Sequence, residues 1–478
     1  MGNIFAFLQK PSGILSTNQT VEADGSARTS GFPLNLLQSR KRKSSDDTQK
    51  TASSPAKVIK LNTPNYIYRR LFVDGCDSDI TVTALDNEWK LHRVYLEQCD
   101  YFRCFFSGSW SDSSTNRIRL EGLDKQITIA GLNTVFGSLY QNEITFDLKD
   151  IGGIISSATL FNLVPCIERC EELMLNSIGD SNVVDYYELS ALYGTSKCRD
   201  RCIRYMANMF WRLARSADFL KQLSIELFEI ILRQSDLCVT EGERDIYNAI
   251  KNWVYIHETG TVEFTLEEVH KYVSNKPERY FYKYEYLLKL VRWEHMVTAE
   301  KTLAVLKTEH IVDKQFLSTV VFDQWTSMLL YEEKLEMIET IPDDIFSSSC
   351  RRVGRQVDED KAWRWSGFDF GLDLFFRCQY GVISMLRNHS RDLTTQSLST
   401  RKKYRIHYRL FVLNENGELV FDSLRQTAEL STDQKVYIGS YPLSLKRFTV
   451  HFFYLSSVPA QSSRAYWQHT TAVQKCDV

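Results

Sequence analysis

Between residues 166 and 341 the chain carries a single proline, Pro277, and this constrains the fold more than any other feature. Proline inside a helix removes a backbone hydrogen bond and clashes with the preceding turn, so a segment that avoids it can build helix after helix. Apolar residues in the stretch recur at helical spacing. Leu227, Ile230 and Ile231 share one face, and Ile246, Ala249, Ile250 and Trp253 share another. Strand-like alternation is nearly absent from 180 to 340. The pattern predicts an all-α array or bundle over residues 181–340.

Both flanks have a different texture. On the N-terminal side Ile80-Thr81-Val82-Thr83-Ala84 alternates like a half-buried strand, Asp86-Asn87-Glu88 reads as a turn, and Trp89-Lys90-Leu91 returns as a second strand. Residues 94–98 and 101–106 look helical, with Asp100 placed as an N-cap, and Arg117-Ile118-Arg119-Leu120 alternates again. Ile127, Gly131, Val135 and Leu139 step by four beside Leu132 and Phe136, which predicts a helix, and Ile151, Ile154, Ile155 and Ala158 predict another. Strands first and helices after make a small α+β domain over 71–178. On the C-terminal side, 363–365, 372–376, 404–413 and 450–455 are strand-like, and Asn414-Glu415-Asn416-Gly417-Glu418 supplies a hairpin turn. A mainly-β, sandwich-like domain is expected over 350–460. Trp363, Trp365 and Phe370 within it are read as inward-packing strand residues rather than as a binding surface.

The termini are polar. Residues 1–62 are rich in Ser, Thr, Asn, Gly and Lys and nearly devoid of aromatics after Phe32, so a disordered tail is expected there, with a second tail over 461–478. Inside the first tail Arg40-Lys41-Arg42-Lys43 forms a basic run of the kind that serves nuclear import or binds acidic partners. The chain opens Met-Gly, and Gly2 is a candidate for N-myristoylation, although Ala6 stands where Ser or Thr is preferred. One acyl chain would anchor the protein to a membrane only weakly.

Bulk properties exclude some functions. The length of 478 residues leaves room for roughly three or four domains. A net charge of −2 provides no global attraction for nucleic acid. The 11 cysteines are odd in number and lack framework spacing, no signal peptide opens the chain, and no run approaches the ~18 apolar residues of a membrane span. A soluble intracellular protein with reduced thiols is expected.

Catalytic chemistry finds little support. Cys166 and Cys170 are four apart, and Cys198 and Cys202 repeat the spacing, so four thiols could in principle hold zinc. Zinc knuckles favour a two-residue gap, however, and free Cys is common in buried helices, so the four are read as core and no metal or cofactor is expected. His92 lies near Asp79 in sequence but no nucleophile motif accompanies the pair, so His92 is read as structural. No P-loop, dinucleotide-binding glycine fingerprint or His-Glu-x-x-His occurs. Packed domains in series describe a scaffold or adaptor better than an enzyme.

Three resemblances sharpen this reading. Ser78-Asp79-Ile80, Leu91-His92, Tyr101-Phe102, Phe105-Phe106 and Leu139-Tyr140 make 71–178 similar to a BTB/POZ domain, which implies that Asp79 and His92 are structural residues near a dimer interface. Glu243-Arg-Asp-Ile246-Tyr247-Asn-Ala249-Ile250-Lys-Asn-Trp253 makes 181–340 resemble a BACK domain. Too little chain follows for the β-propeller of kelch-type relatives. Trp363-Arg364-Trp365-Ser366-Gly367-Phe368-Asp369-Phe370-Gly371-Leu372-Asp373-Leu374 resembles the C-terminal hallmark of the germ cell-less proteins. Lys60-Leu61-Asn62-Thr63-Pro64, Tyr66-Ile67-Tyr68 and Ser107-Gly108-Ser109-Trp110 are also similar to that family.

The family resemblance implies a homodimeric, non-catalytic adaptor of a cullin-3 ubiquitin ligase. Its BTB and BACK regions would hold cullin-3, and its C-terminal domain would recruit an unidentified protein substrate. It also implies the nucleus and nuclear envelope as location and a role in germ-cell formation. Cullin-binding BTB domains carry a hydrophobic residue, any residue, then Glu in the loop after the helix that ends here at Phe106. In this chain the positions read Trp110-Ser111-Asp112, with Asp where Glu is usual. Trp110 would be the buried anchor of that contact, since a Trp fills a pocket with some 150–250 Å², the alternative being that it packs on Phe105 or Phe106 within its own domain. The alternative is a scaffold at the nuclear periphery that docks on lamina or transcription-factor partners without ubiquitin chemistry.

Overall fold

The computed structural model describes residues 62–107, 116–141, 146–277, 279–297, 299–333, 341–358, 360–369, 372–387, 403–431 and 434–456. The segments read as tails therefore lie outside the described residues, apart from Asn62.

The N-terminal domain begins with a helical lead-in the sequence reading did not foresee, Thr63–Ile67 running into a wider turn over Tyr68–Val73. Its Tyr68 and Phe72 rings sit 5.2 Å apart, and Phe72 packs on Tyr140. Strands β1 (Ile80–Ala84) and β2 (Asn87–Leu91) form an antiparallel hairpin, and β3 (Arg117–Arg119) adds to β1 in parallel. The turn differs from expectation by two residues. Ala84 pairs with Asn87, leaving Leu85 and Asp86 as a two-residue loop, both left-handed at φ 50° and 60°. Asp100 is also displaced from its expected place: the cap position is Cys99, and Asp100 begins the Asp100–Phe106 helix, where its charge favours the helix N-terminus.

Two helices, Ile129–Ser138 and Ile151–Leu160, cross behind the sheet at backbone contact. A Cβ on Gly131 would fall 2.2 Å from the Gly153 carbonyl oxygen, and one on Gly153 would fall 2.2 Å from Thr128 Oγ1. That hydroxyl accepts the Gly131 amide at 2.9 Å and so caps the first helix of the pair. Ile127, placed in the helix by the four-step pattern, precedes this cap and is buried.

From Val164–Asn176 onward the chain is helical to Glu333 with short turns between. Val183–Tyr193 and Ser196–Asn208 form a hairpin closed by Gly194 in the left-handed region. The Glu243–Thr259 helix is buried along most of its length, more than a single apolar stripe requires. It starts behind Gly242 (φ 78°), carries Glu243 and Asp245 in its first turn, and stops at Gly260 (φ 74°). No described helix is long and apolar enough to cross a membrane.

The C-terminal part holds two antiparallel sheets. One has the order β10 (Gln426–Ser431), β8 (Lys403–Leu413), β12 (Arg447–Leu455), β4 (Arg351–Asp358), with β9 (Leu419–Asp422) also on β8. The other has the order β11 (Val436–Ser440), β7 (Val382–Arg387), β6 (Leu372–Gln379), β5 (Ala362–Asp369). Their facing side chains make one core. Trp363 stacks on Phe376, and Trp365 and Phe376 reach Phe452 of the opposite sheet at 5.9 and 5.2 Å. Trp363 and Trp365 are thus core residues, while Phe370 lies outside the described residues. The architecture is multidomain: an α+β domain, a helical domain and a β-sandwich.

Candidate functional site

In the first domain, Asp79 and His92 share the junction between sheet and helix. Asp79 Oδ1 accepts the Arg93 amide at 2.9 Å, at the start of the short Arg93–Leu96 helix. His92 is buried with both ring nitrogens partnered: Nε2–H donates to the Cys76 carbonyl at 2.9 Å, and Nδ1 accepts from the Tyr140 hydroxyl at 3.2 Å. The same Tyr140 oxygen accepts the His92 amide at 2.9 Å. This closed circuit fixes the ring and its tautomer and leaves no free nitrogen to act as a base. Burial, the largest influence on Tyr140, pushes its phenol well above the usual range.

Trp110, Ser111 and Asp112 lie outside the described residues, as do Gly2 and Arg40, Lys41, Arg42 and Lys43. The helix that leads to the Trp110 loop is described. Phe102 is buried and stacks on Phe161 at 5.1 Å, and the Arg93 guanidinium covers the Phe106 ring at 4.8 Å.

The four helical cysteines do not converge. All are buried; Cys166 Sγ lies 3.6 Å from Ser138 Oγ, and Cys198 interacts with Cys202. Among the described residues no group of three His, Cys, Asp or Glu could hold a metal ion. Burial raises the Cys170 thiol to about 12, so it stays protonated and unreactive.

The most elaborate polar arrangement lies where the helical domain meets the sandwich, and sequence reasoning missed it. Glu243, at the head of its helix, is 2% exposed and takes a two-pronged contact from Arg352 of β4, Nε to Oε1 at 2.8 Å and Nη2 to Oε2 at 2.7 Å. The Arg292 amide adds a third bond to Oε2 at 3.0 Å. The Arg292 side chain in turn donates to the carbonyls of Ser235 (3.2 Å), Ser347 (2.6 Å) and Cys350. Burial alone would raise the Glu243 carboxyl, but the charge and hydrogen bonds of Arg352 outweigh it and hold the group below its ordinary value.

Beside this knot the two domains touch without room for a side chain. A Cβ on Gly354 would meet both His451 Nδ1 and the Val239 carbonyl at 2.4 Å. His451 is fully buried and donates Nδ1–H to that carbonyl at 3.2 Å. Its ring is held neutral, with burial depressing its pKa to about 3 against the opposing pull of Val239. Further along, the Asn414–Gly417 turn presses its tip on the Ser196–Asn208 helix. Asn208 Nδ2 donates to the Gly417 carbonyl at 3.1 Å, and a Cβ at Gly417 would strike Met209 at 2.6 Å. The turn was legible as Asn-Glu-Asn-Gly; its role as a docking point was not.

Beside this turn a cleft of ≈ 390 Å³ opens, walled by the Ser196–Asn208 helix and Asp236 on one side and by β8, Glu418 and β9 on the other.

Comparison with known proteins fits this architecture. The BTB/POZ domain family matches residues 68–178, and the family described as BACK, BTB And C-terminal Kelch, matches 183–275. "Protein germ cell-less" of Drosophila melanogaster is 27% identical over 443 residues, covering 83% of this chain and 78% of that protein. "Germ cell-less protein-like 1" of Homo sapiens is 28% identical over 436 residues, covering 86% and 84%. "Kelch-like protein 26" of Danio rerio is 29% identical over 175 residues, covering 36% of this chain and 28% of its own length.

Proposed function

The chain belongs to the germ cell-less family of BTB–BACK proteins, and on that premise we propose that it is a substrate adaptor of a cullin-3 RING ubiquitin ligase, itself without catalytic residues. The observation that carries the reading is the succession of a BTB domain, a BACK helical domain and a β-sandwich joined to the helices through a buried ionic knot. In this reading the BTB domain dimerises, BTB and BACK together hold cullin-3, and the sandwich domain presents the substrate. Trp110 fills a pocket on the cullin and Asp112 supplies the acidic contact one methylene short of the usual Glu. The basic run Arg40-Lys41-Arg42-Lys43 and an acylated Gly2 would bring the adaptor to the nucleus and its envelope, in the service of germ-cell formation.

Trp110→Ala is expected to leave a folded dimer by light scattering and to abolish co-purification of cullin-3 from cells. Unchanged cullin-3 recovery by the variant would remove Trp110 as anchor. The substitution of Asp for Glu at position 112 favours a second reading, a scaffold of the nuclear periphery that dimerises and docks on lamina or transcription-factor partners without a ligase. Failure of the wild-type protein to recover any cullin-3 would decide for it.

A further inference from the structure

We propose that the cleft between the BACK helices and the sandwich is a receptor for an acidic segment of a partner protein, with Arg201 and Arg204 as the residues that read its carboxylates. This deepens the adaptor reading and rests on it, because it places recruitment on a surface shared by two domains rather than on the sandwich alone.

The arginines stand three apart on the Ser196–Asn208 helix and therefore on one face of it, lining the cleft. Arg201 is half-buried and Arg204 exposed. Among the described residues neither guanidinium has a hydrogen-bond or ion-pair partner. Three other arginines nearby are engaged: Arg199 with Asp200 at 3.3 Å, Arg212 with Asp180 at 2.6 Å, and Arg409 across the cleft with Asp422 at 2.7 and 3.1 Å. Two like charges at this spacing weaken a helix slightly, so the pair brings the fold no gain.

Two acids, Asp236 and Glu418, share the lining, and among the described residues neither forms an ion pair with Arg201 or Arg204. Asp236 adds its field to that of Asp422 on Arg409, and Glu418 is held by Asn414 Nδ2 at 2.8 Å. Across from the arginines the half-exposed Leu419 gives an apolar shelf, while Phe411 beneath it is buried with the Arg409 guanidinium 4.4 Å over its ring. Forked donors beside an apolar shelf suit a carboxylate followed by an aliphatic side chain, because guanidinium matches carboxylate geometry in pairs of hydrogen bonds. The volume falls in the roughly 300–1,000 Å³ range of ligand pockets, enough for a few residues of an extended segment. A net charge of −2 over the chain argues against a nucleic-acid occupant.

The test uses the full chain and a fluorescein-labelled peptide of repeated Glu-Glu-Leu units, read by fluorescence polarisation. The wild-type protein binds this probe, and binds a Lys-Lys-Leu peptide and single-stranded DNA at least about tenfold more weakly. The double variant Arg201→Glu, Arg204→Glu keeps the wild-type melting temperature, loses at least about tenfold in affinity for the acidic probe, and still co-purifies with cullin-3. No binding by the wild-type protein, equal binding by the variant, or preference for DNA overturns the proposal. Wild-type protein that binds the probe through these arginines but recovers no cullin-3 overturns the adaptor reading and leaves the receptor cleft standing.

Discussion

Glu243 and Arg352 are both fully enclosed, and a buried ion pair is costly to break from one side. Removing the guanidinium leaves a carboxylate in a low-dielectric site with only the Arg292 amide as hydrogen-bond partner and the more distant Arg292 charge. Arg352→Met is therefore expected to destabilise the protein by about 3–5 kcal/mol. Glu243→Leu together with Arg352→Met should cost less than the sum of the two single changes, because neither member of the pair is left as an unpaired buried charge. Chemical denaturation of the four proteins of this double-mutant cycle measures the coupling; strict additivity would deny the pair its structural role. None of this was legible beforehand. Glu243 stood out as part of a BACK-like motif, but an acidic residue in a first helical turn is ordinarily solvated. Its partner lies 109 residues away, a separation no local pattern records. His92 is expected to be structural because no catalytic setting surrounds it in the sequence; in the structure its two ring nitrogens face Cys76 and Tyr140.

Elements were legible where a period repeats without interruption. The strands over 80–84 and 404–413 and the helix over 246–253 carry alternation or four-step spacing long enough to decide their type. Strands β7, β10 and β11, no shorter than β1, escape notice because VISMLR and VYIGS break the alternation and QTAELS is made of weak strand formers, so all three owe their state to pairing partners. The four-step pattern makes Gly131 one step in an apolar face, whereas the structure needs it for what it lacks, a side chain. The two adjacent glycines of the next helix give a direct test. Gly153→Ala drives a methyl group into Thr128, and is expected to lower stability by about 1–3 kcal/mol. Gly152→Ala meets Leu189 at an ordinary 3.5 Å and should be neutral or gain up to about 1 kcal/mol from helix propensity. Paired thermal melts read both; similar effects at the two positions would refute the close crossing.

For the whole molecule, domain order was legible from three changes of texture along the chain, while the way the helical domain and the sandwich join was not. That junction has a predictable weakness. His451 is buried neutral with a pKa of about 3, below the ~6.5 of an exposed histidine, so the unfolded chain takes up the proton first. Stability from this group is complete above pH ~6.5 and declines as pH falls toward 3, by about 1.4 kcal/mol per pH unit once the unfolded form is protonated. Glu243, held below its ordinary value, adds a further loss below pH ~4.3. Urea denaturation between pH 7.5 and 4 should show this slope, and His451→Phe should make it shallower, with His295, also held neutral by burial, carrying the remainder; an unchanged slope in that variant would assign the acid sensitivity elsewhere.

The contact at Gly354 and the hairpin tip seated on Met209 tie the sandwich to the helices at two separate points. A receptor so fixed works as a spacer of constant length. Under the adaptor reading, cargo held in it meets the ubiquitin-charged enzyme at one height and one angle, so modification falls on a narrow belt of lysines. Lengthening the Gly417 turn would widen or shift that belt while leaving capture of the cargo intact.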